Sequence, residues 1–484
     1  MPLNSHSARG LSLSEILTEG RWLTGREPRI RSCSTSAEQC QAGDLFVVLD
    51  ETDFVSQDLI ELAIQRGAVA VLAERVIPCD APQFLVDDVR QAFARVCQAV
   101  AGSPANAMHT LGITGSYGKT STSVLLNAIL NAAGETPDTL SSEELARHDA
   151  IRLAQRFAQS HLAGHSHMLI ETSSETIAKQ RLSGVPLDGA VLTNLLTEHT
   201  DEHGSMRNYL SSKREILGML KPEGFAVVNA DDRRSARLLP NIENPTITYG
   251  INRQAEIMAT VLERHASEQT FLLDAGNESI CVRTSVVGDA HVYNCLAATA
   301  TALVLGVGLD AIVRGIESVT SIPGRLQRVE CGQPFGLFIN IAGSPRVLSH
   351  ALKTLRQVTD RNLVCVAGIC PRLSEVDRQD IGRVLENHSD RCVLTGTQLD
   401  RKLSLRNAHD VLDGFDRPAQ AHLMPDRAKA ICWSLAQAQQ GDIVLVAGGG
   451  PVTSCDDANL CDEDVARYWL QNASLDRSCP WLPV

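Results

Sequence analysis

Short apolar runs alternate with longer amphipathic stretches along most of the chain. The predicted strands are 45–49, 68–72, 83–86, 110–114, 166–170, 189–192, 337–341, 363–367, 392–395 and 443–447. The predicted helices between and after them include 58–66, 89–101, 121–131, 205–220, 347–358 and 426–438. Because strand and helix patterns alternate, the sequence predicts α/β domains with mainly parallel sheets.

Composition argues against two classes of partner. The chain has 484 residues, a net charge of −13 and 4% aromatic residues, which disfavours nucleic acid, anionic membranes and base stacking. The most apolar long stretch, 292–313, contains Asn294, Thr299 and Asp310, and this fits a packed helix better than a membrane span. We therefore expect no nucleic-acid partner and no membrane span.

The cysteines bear on the cellular compartment. Fourteen of them are scattered from Cys33 to Cys479 without a C-x-x-C pair. Buried free thiols in a reducing cytosol are favoured over a disulfide framework, which stays the alternative. Residues 1–17 contain no apolar signal-peptide core, so we expect a cytoplasmic protein.

The strongest motif is the segment 112–121, in which a predicted strand leads through glycines to Lys-Thr and a helix. Gly115 and Gly118 would let backbone N–H groups surround phosphate oxygens at the positive end of the helix dipole. Lys119 would reach the β- and γ-phosphates, and the Thr120 hydroxyl would ligate Mg²⁺. The first glycine stands one place earlier than the strict pattern requires. A glycine turn with a chance Lys-Thr is the alternative.

A carboxylate follows the next predicted strand. Glu171 comes directly after the apolar run 166–170. The carboxyl ends of parallel strands face the ligand crevice, so Glu171 is well placed to bind Mg²⁺ alongside Thr120. An ordinary exposed glutamate is the alternative.

The segment 193–204 contains two histidines and three acidic residues, and the helix predicted after it carries a lysine on its apolar face. Lys213 lies on a stripe that comprises Met206, Tyr209, Leu210, Ile216, Leu217 and Leu220. Desolvation lowers the pKa of a lysine, and its neutral amine can form a carbamate with CO₂ that suits a second Mg²⁺. A solvated loop and a lysine that extends to solvent are the alternatives.

Together these segments resemble the Mur ligase family, the ATP-dependent ligases that build the stem peptide of peptidoglycan. Within it they are most similar to the UDP-N-acetylmuramoyl-tripeptide synthetases, which add the third residue. The family's motifs recur in order at 112–121, 171–181, 193–213, 292–298 and 323–325. The resemblance therefore covers nearly the whole chain.

The resemblance implies a role for each matching residue. The ATP contacts would be Gly115, Ser116, Gly118, Lys119, Thr120, Ser121, Asn294 and Arg325. The muramoyl-peptide contacts would be Ser173, Ser174 and Arg181. The Mg²⁺ ligands would be Thr120, Glu171, His199 and a carbamylated Lys213, and the catalytic residues Lys119, Glu171, His199 and Lys213. The substrates implied are a UDP-muramoyl-peptide-like acid and an amino acid, joined through an acyl phosphate.

Departures from the family's motifs concentrate towards the two ends of the chain. The replaced family motifs stand at 36–38, 340–345, 370–374, 397–400 and 448–452, and Glu175 replaces a histidine. Asp400 stands where the family has an arginine that clamps the amino-acid carboxylate, so diaminopimelate is expected to be a poor acceptor. The phosphate and Mg²⁺ residues are kept, whereas both specificity pockets are altered.

The expected architecture is three α/β domains. They are an N-terminal UDP-substrate-type domain at 1–106, a central ATP-binding domain with a P-loop-type, mainly parallel sheet at 107–322, and a Rossmann-like domain at 323–484. Three functions stay open: a muramoyl-peptide ligase, a catalytically impaired nucleotide-binding relative, and a ligase for another carboxylate of the polyglutamate or folate type.

Overall fold

The computed structural model describes residues 10–23, 27–49, 57–195, 215–341, 343–397, 403–449 and 461–472. Three β-sheets flanked by helices are formed within these ranges. The chain divides into two compact units, Met1–Met258 with Tyr293–Gly315 and Ala259–Val292 with Ile316–Val484. No helix in the described ranges is long and apolar enough to cross a bilayer.

The first sheet has five strands, in the order β1-β5-β4-β3-β2. They are β1 (Arg21–Trp22), β2 (Ser32–Ser34), β3 (Asp44–Val47), β4 (Ala70–Ala73) and β5 (Gln83–Leu85), with helices α1 (Leu13–Ile16), α2 (Gln57–Gln65) and α3 (Val89–Val100). Only the β1–β5 pair is antiparallel. Strands β3, β4 and β5 are buried along their whole length, as expected of parallel strands covered on both faces.

The second sheet has nine strands, in the order β14-β13-β12-β11-β10-β9-β6-β8-β7. They are β6 (His109–Thr114), β7 (Pro137–Leu140), β8 (His167–Thr172), β9 (Leu187–Leu192), β10 (Leu220–Asn229), β11 (Thr246–Gly250), β12 (Ile257–Arg264), β13 (Gln269–Ala275) and β14 (Glu278–Thr284). Strand β6 pairs in parallel with β8 on one side and β9 on the other. The carboxyl ends of these three buried strands therefore lie side by side.

Seven helices of the described chain accompany the nine strands. They are α4 (Lys119–Ala132), α5 (Ser142–Arg147), α6 (Ala150–Leu162), α7 (Ser174–Ala178), α8 (Arg233–Ala236), α9 (Asp289–Val304) and α10 (Leu309–Ser318). Helix α6 is capped by the Asp149 side chain, and its buried stripe brings Leu153 and Phe157 into one core with Met168 and Ile170 of β8. The packing of α6 against β8 holds the strand in place and therefore also sets the position of Glu171.

The third sheet has six strands, in the order β15-β16-β20-β17-β18-β19, of which only β15 is antiparallel to its neighbour. They are β15 (Gln327–Arg328), β16 (Gly336–Asn340), β17 (Leu363–Gly368), β18 (Arg391–Thr395), β19 (Ala421–Leu423) and β20 (Ile443–Ala447). Its helices are α11 (Pro345–Arg356), α12 (Glu375–His388), α13 (Leu405–Leu412), α14 (Arg427–Gln437) and α15 (Asp462–Asn472). A buried ion pair between Arg427 and Asp462, 2.7 Å apart, joins α14 to α15.

The predicted fold class is confirmed, since helices flank large, mainly parallel sheets. One predicted helix is wrong at its end: residues Leu217–Met219 form a 3₁₀ turn, and strand β10 begins at Leu220. Gly218 weakens a helix at this point, and Pro222 disfavours helical backbone at Lys221. The apolar stretch 292–313 falls in two helices, α9 and α10. The three domain bounds stay a prediction.

Candidate functional site

The glycine loop connects β6 to α4, and its backbone excludes larger residues at two places. Gly115 and Gly118 have φ angles of +153° and +85°, which L-residues with side chains rarely adopt. A Cβ atom on Gly115 would lie 1.9 Å from Thr193 Oγ1, and one on Gly118 would lie 2.4 Å from Asn294 Oδ1. The loop therefore depends on both glycines for its conformation and for its contacts.

Lys119 and Thr120 are the first two residues of α4, directly after the glycine loop. The Lys119 Nζ atom donates to the carbonyl oxygen of Gly115 at 2.9 Å and lies 3.5 Å from that of Ser116. The amine is thereby held over the loop at the start of a 14-residue helix. A cation and a helix N-terminus together form a surrounding that attracts phosphate. Ser121, the next residue, is buried.

Glu171 lies on β8, the strand next to β6, and contacts the start of α4. The register of β6 and β8 pairs Ile113 with Glu171, and the Thr120 hydroxyl donates to Glu171 Oε2 at 2.8 Å. Glu171 is only 5% exposed. Strand β8 extends to Thr172, so the prediction that the strand ends before Glu171 is wrong by two residues. Side chains that are far apart in sequence therefore meet at one sheet edge, as predicted.

Asn294 belongs to α9 and contacts the far end of the glycine loop. Its Oδ1 atom lies 3.5 Å from the Thr122 hydroxyl and faces Gly118. This places the residue that the resemblance assigns to ATP beside the first turn of α4. Its contact with the nucleotide itself stays a prediction.

A polar cluster that was not predicted lies at the end of β10. Asp231 accepts hydrogen bonds from the backbone N–H groups of 251, 252 and 253 and from the Tyr293 hydroxyl, which lies 2.9 Å away. Partial burial raises the pKa of Asp231, but these donors outweigh it, and the pKa is below its ordinary value. The signal was present in the sequence, since Asn229, Asp231 and Asp232 follow an apolar run.

The residues predicted to contact the muramoyl-peptide are engaged in local structure. Ser173 caps α7, where its Oγ accepts from the Thr176 backbone N–H at 3.1 Å, and Ser174 is buried. The Arg181 guanidinium donates to three carbonyl oxygens at the end of α5, among them that of Ala146 at 2.6 Å. Their assignment to the substrate stays a prediction.

The remaining predicted residues lie elsewhere. Arg325 belongs to the second compact unit, where its backbone N–H donates to the Ile322 carbonyl oxygen at 3.0 Å. His199, Lys213 and Asp400 lie outside the described residues. Across the ranges that the structure describes, no three His, Cys, Asp or Glu side chains are grouped as metal ligands. Twelve cysteines in these ranges are free thiols.

Comparison with known proteins gives the family. The Mur ligase middle domain model matches residues 113–302, and the model "Mur ligase, glutamate ligase domain" matches residues 324–450. The chain is 31% identical to a UDP-N-acetylmuramoyl-L-alanyl-D-glutamate--2,6-diaminopimelate ligase of Geobacillus kaustophilus, over 90% of this chain and 93% of the relative. It is 30% identical to the ligase of the same name from Solibacter usitatus, over 92% of this chain and 94% of that relative.

A solved structure of a ligase of that name has the same fold. It superposes with a TM-score of 0.73 over 96% of this chain and 100% of that chain, at 22% identity. The two domain models and the 31% identical relative confirm the family resemblance of the motifs. The fold, the two domain matches and the identity along nearly the whole length show that the chain belongs to the Mur ligase family of ATP-dependent ligases.

Proposed function

We propose that this chain joins a UDP-muramoyl-peptide-like carboxylic acid to an amino acid, with Mg²⁺ and ATP bound at the carboxyl edge of β6, β8 and β9. Mur ligases use ATP and Mg²⁺. The observation that carries the proposal is the meeting of Lys119, Thr120 and Glu171 at this edge. A cation for phosphate and two oxygen ligands for a metal thus lie at the start of α4, two of them on the helix and Glu171 on β8.

The oxygen pair fits a magnesium ion. Mg²⁺ takes oxygen ligands at ~2.1 Å in octahedral geometry, so two adjacent ligands lie about 3 Å apart. The Thr120 hydroxyl and the Glu171 carboxylate are 2.8 Å apart. When bound, the ion would neutralise phosphate charge. The burial of Glu171 favours its role as a ligand, because a buried carboxylate is stabilised by a cation.

Lys119 supplies the second positive charge in this proposal. Positioning and charge neutralisation dominate phosphoryl transfer, and the Lys119 amine stands at the glycine loop where the β- and γ-phosphates would lie. The substrate carboxylate would attack the γ-phosphate to give an acyl phosphate, which the amine of the amino acid would then attack. The loop residues Gly115, Ser116, Gly118 and Ser121, with Asn294 and Arg325, would contact the nucleotide.

His199 and Lys213 are proposed to hold a second Mg²⁺, with Lys213 as a carbamate. The support comes from the match of segment 193–213 to the family's motif and from the apolar stripe that carries Lys213. We expect Lys213→Ala to lose turnover and to regain part of it with short carboxylic acids, which can occupy the carbamate position. Full turnover in this variant would contradict the assignment.

The identity of the amino acid is expected to differ from that of the relatives. Their name states that they use 2,6-diaminopimelate. In this chain Asp400 replaces the arginine of the family's carboxylate clamp, and a carboxylate repels another carboxylate. Ser173, Ser174 and Arg181 match the family's motif for the acid substrate, so the Asp400 replacement itself is proposed to affect the acceptor.

The test is a measurement of ADP release across a panel of UDP-muramoyl peptides and amino acids, diaminopimelate included. We expect release that needs both an acid and an amino acid, with diaminopimelate a poor acceptor. Glu171→Gln should lower the rate by at least ~100-fold, because the metal loses a charged ligand. The control is Glu135→Gln, an exposed glutamate that precedes β7 at the opposite edge of the sheet. No acid-dependent release from the unaltered protein would refute the proposal.

A further inference from the structure

Two residues after strand β9 hold the glycine loop by its backbone. The Tyr117 N–H donates to Asn194 Oδ1 at 3.0 Å, and Asn194 Nδ2 donates back to the Tyr117 carbonyl oxygen at 3.0 Å. The Thr193 hydroxyl also donates to that carbonyl oxygen, at 2.5 Å. The Ser116 N–H donates to the Asn194 carbonyl oxygen at 3.1 Å. Both polar backbone groups of Tyr117 are thus bound by the neighbouring strand end.

Thr193 also fills the space that Gly115 leaves open. Thr193 is 3% exposed, and its Oγ1 occupies the position next to Gly115 that a Cβ atom would enter. The Thr193 N–H donates to the Thr114 carbonyl oxygen at 3.0 Å, which continues the β6–β9 ladder to the start of the loop. The loop conformation is therefore set by contacts with β9 as well as by its own glycines.

Thr193 is itself anchored from two further strands. Its carbonyl oxygen accepts hydrogen bonds from Asn229 Nδ2 at 3.2 Å and from the Tyr249 hydroxyl at 3.1 Å. Tyr249 is fully buried, and burial raises the pKa of its phenol, so it stays a donor at every working pH. A continuous set of hydrogen bonds thus runs from the ends of β11 and β10 through Thr193 to the glycine loop.

We propose that Thr193 and Asn194 are positioning residues for the nucleotide phosphates. They hold the loop 115–118 in its receiving conformation before the nucleotide arrives, so that binding does not have to order it. This inference rests on the proposed function of the loop and adds the residues that shape it. It predicts a selective defect, because a loosened loop weakens contacts to phosphates and leaves contacts to the nucleoside unchanged.

The experiment compares ADP with adenosine in the presence of Mg²⁺, by calorimetry for ADP and by ligand-observed NMR for adenosine. Thr193→Val keeps the shape of the side chain and removes its hydroxyl. It should weaken the binding of ADP about tenfold, the loss expected for one buried hydrogen bond. Adenosine binding should change by less than about twofold. Thr193→Ser keeps the hydroxyl and should restore most of the ADP affinity.

The matched control lies at the other end of β6. Thr110 is also fully buried, and its hydroxyl donates to the Pro186 carbonyl oxygen, so Thr110→Val removes a comparable hydrogen bond far from the loop. This variant should lower the melting temperature without a selective loss of affinity for ADP. Tyr249→Phe, which frees the Thr193 carbonyl oxygen from one donor, should weaken ADP by about threefold.

Three outcomes separate the explanations. If Thr193→Val binds ADP as the unaltered protein does while Lys119→Ala does not, the positioning role is refuted and the proposed function stands. If Lys119→Ala also binds ADP normally, the proposed function fails. Equal losses of affinity for ADP and for adenosine would show a merely structural role and refute the inference. Should Thr193→Val fail to fold, Asn194→Asp serves instead, since its carboxylate keeps the acceptor for Tyr117 N–H and repels the Tyr117 carbonyl oxygen.

Discussion

The two edges of the central strands β6, β8 and β9 use polar side chains in different ways. At the carboxyl edge, polar side chains bind the backbone of a loop or each other, as Lys119 and Thr193 bind the glycine loop. At the amino edge, opposite charges pair directly, as Asp188 does with Lys221 at 2.7 Å. His109 and His167 stack there with ring centroids 5.1 Å apart.

This difference indicates that the carboxyl edge binds the ligand and that the amino edge stabilises the fold. Asp188 also accepts a hydrogen bond from the Thr110 N–H at 2.8 Å, so the polar groups of the amino edge bind one another. The carboxyl edge instead brings a cation, a hydroxyl and a carboxylate to a helix N-terminus, where parallel sheets bind their ligands. We therefore expect substitutions at the carboxyl edge to change nucleotide affinity and those at the amino edge to change the free energy of unfolding.

The largest effect is expected from Gly115→Ala at the carboxyl edge. Its methyl group would lie 1.9 Å from Thr193 Oγ1, at a φ of +153°. The loop must shift, so ADP affinity should fall by at least ~100-fold when measured by calorimetry. Gly134→Ala, at a positive φ with nothing within 4 Å of the added carbon, controls for backbone strain alone. Equal affinities in both variants would contradict the assignment of the loop.

Asp188→Asn tests the amino edge. The substitution removes the charge that pairs with Lys221, and both side chains are about one-fifth exposed. Urea unfolding should show a loss of roughly 1.5–3 kcal/mol, as for hydrogen bonds to charged groups. ADP affinity should stay within about twofold of the unaltered protein. A large loss of ADP affinity with unchanged stability would reverse the roles of the two edges.

A smaller, pH-dependent effect is expected at Asp138, near the start of β7. Burial raises the pKa of this carboxyl, but the hydrogen bond from Arg156 at 2.6 Å outweighs it and lowers the pKa from 3.8 to about 2. The lowered pKa stabilises the fold above about pH 4, and this contribution, up to roughly 2 kcal/mol, is lost as the pH falls through the folded value.

Urea unfolding at several pH values checks this expectation. Asp138→Asn should be less stable than the unaltered protein at pH 7, and the difference should shrink as the pH approaches the folded pKa. A difference that does not change with pH would contradict the role of the carboxylate charge.

Sequence reasoning predicts the strands and helices that carry the phosphate site, because their signals are local. The predicted strand 110–114 and helix 121–131 agree with β6 (His109–Thr114) and α4 (Lys119–Ala132) to within two residues. A continuous apolar run marks a buried parallel strand, and glycines before Lys-Thr mark the turn into a helix. Glu171 was also predicted at the correct edge.

Strands β10, β11 and β12 were not predicted, and neither were two further features, the β13–β14 hairpin and the contacts that Thr193 and Asn194 make with the glycine loop. The hairpin of β13 and β14 is half exposed, with buried and less buried residues alternating along β13, and its Gly276-Asn277 turn was overlooked. The contacts of Thr193 and Asn194 with Tyr117 join residues more than 70 positions apart in the sequence. Only the pairing of β6 with β9 brings them together, and no local pattern encodes that pairing.

The central claim, that phosphate binds at the carboxyl edge, is tested most directly by one calorimetric comparison of two lysines. Lys119 stands at the glycine loop, and Lys221 is paired with Asp188 at the opposite edge. We predict that Lys119→Ala weakens the binding of ATP with Mg²⁺ by at least ~100-fold, because a charge partner of the phosphates is lost. Lys221→Ala should bind within about twofold of the unaltered protein. Equal ATP affinities in the two variants would contradict the account.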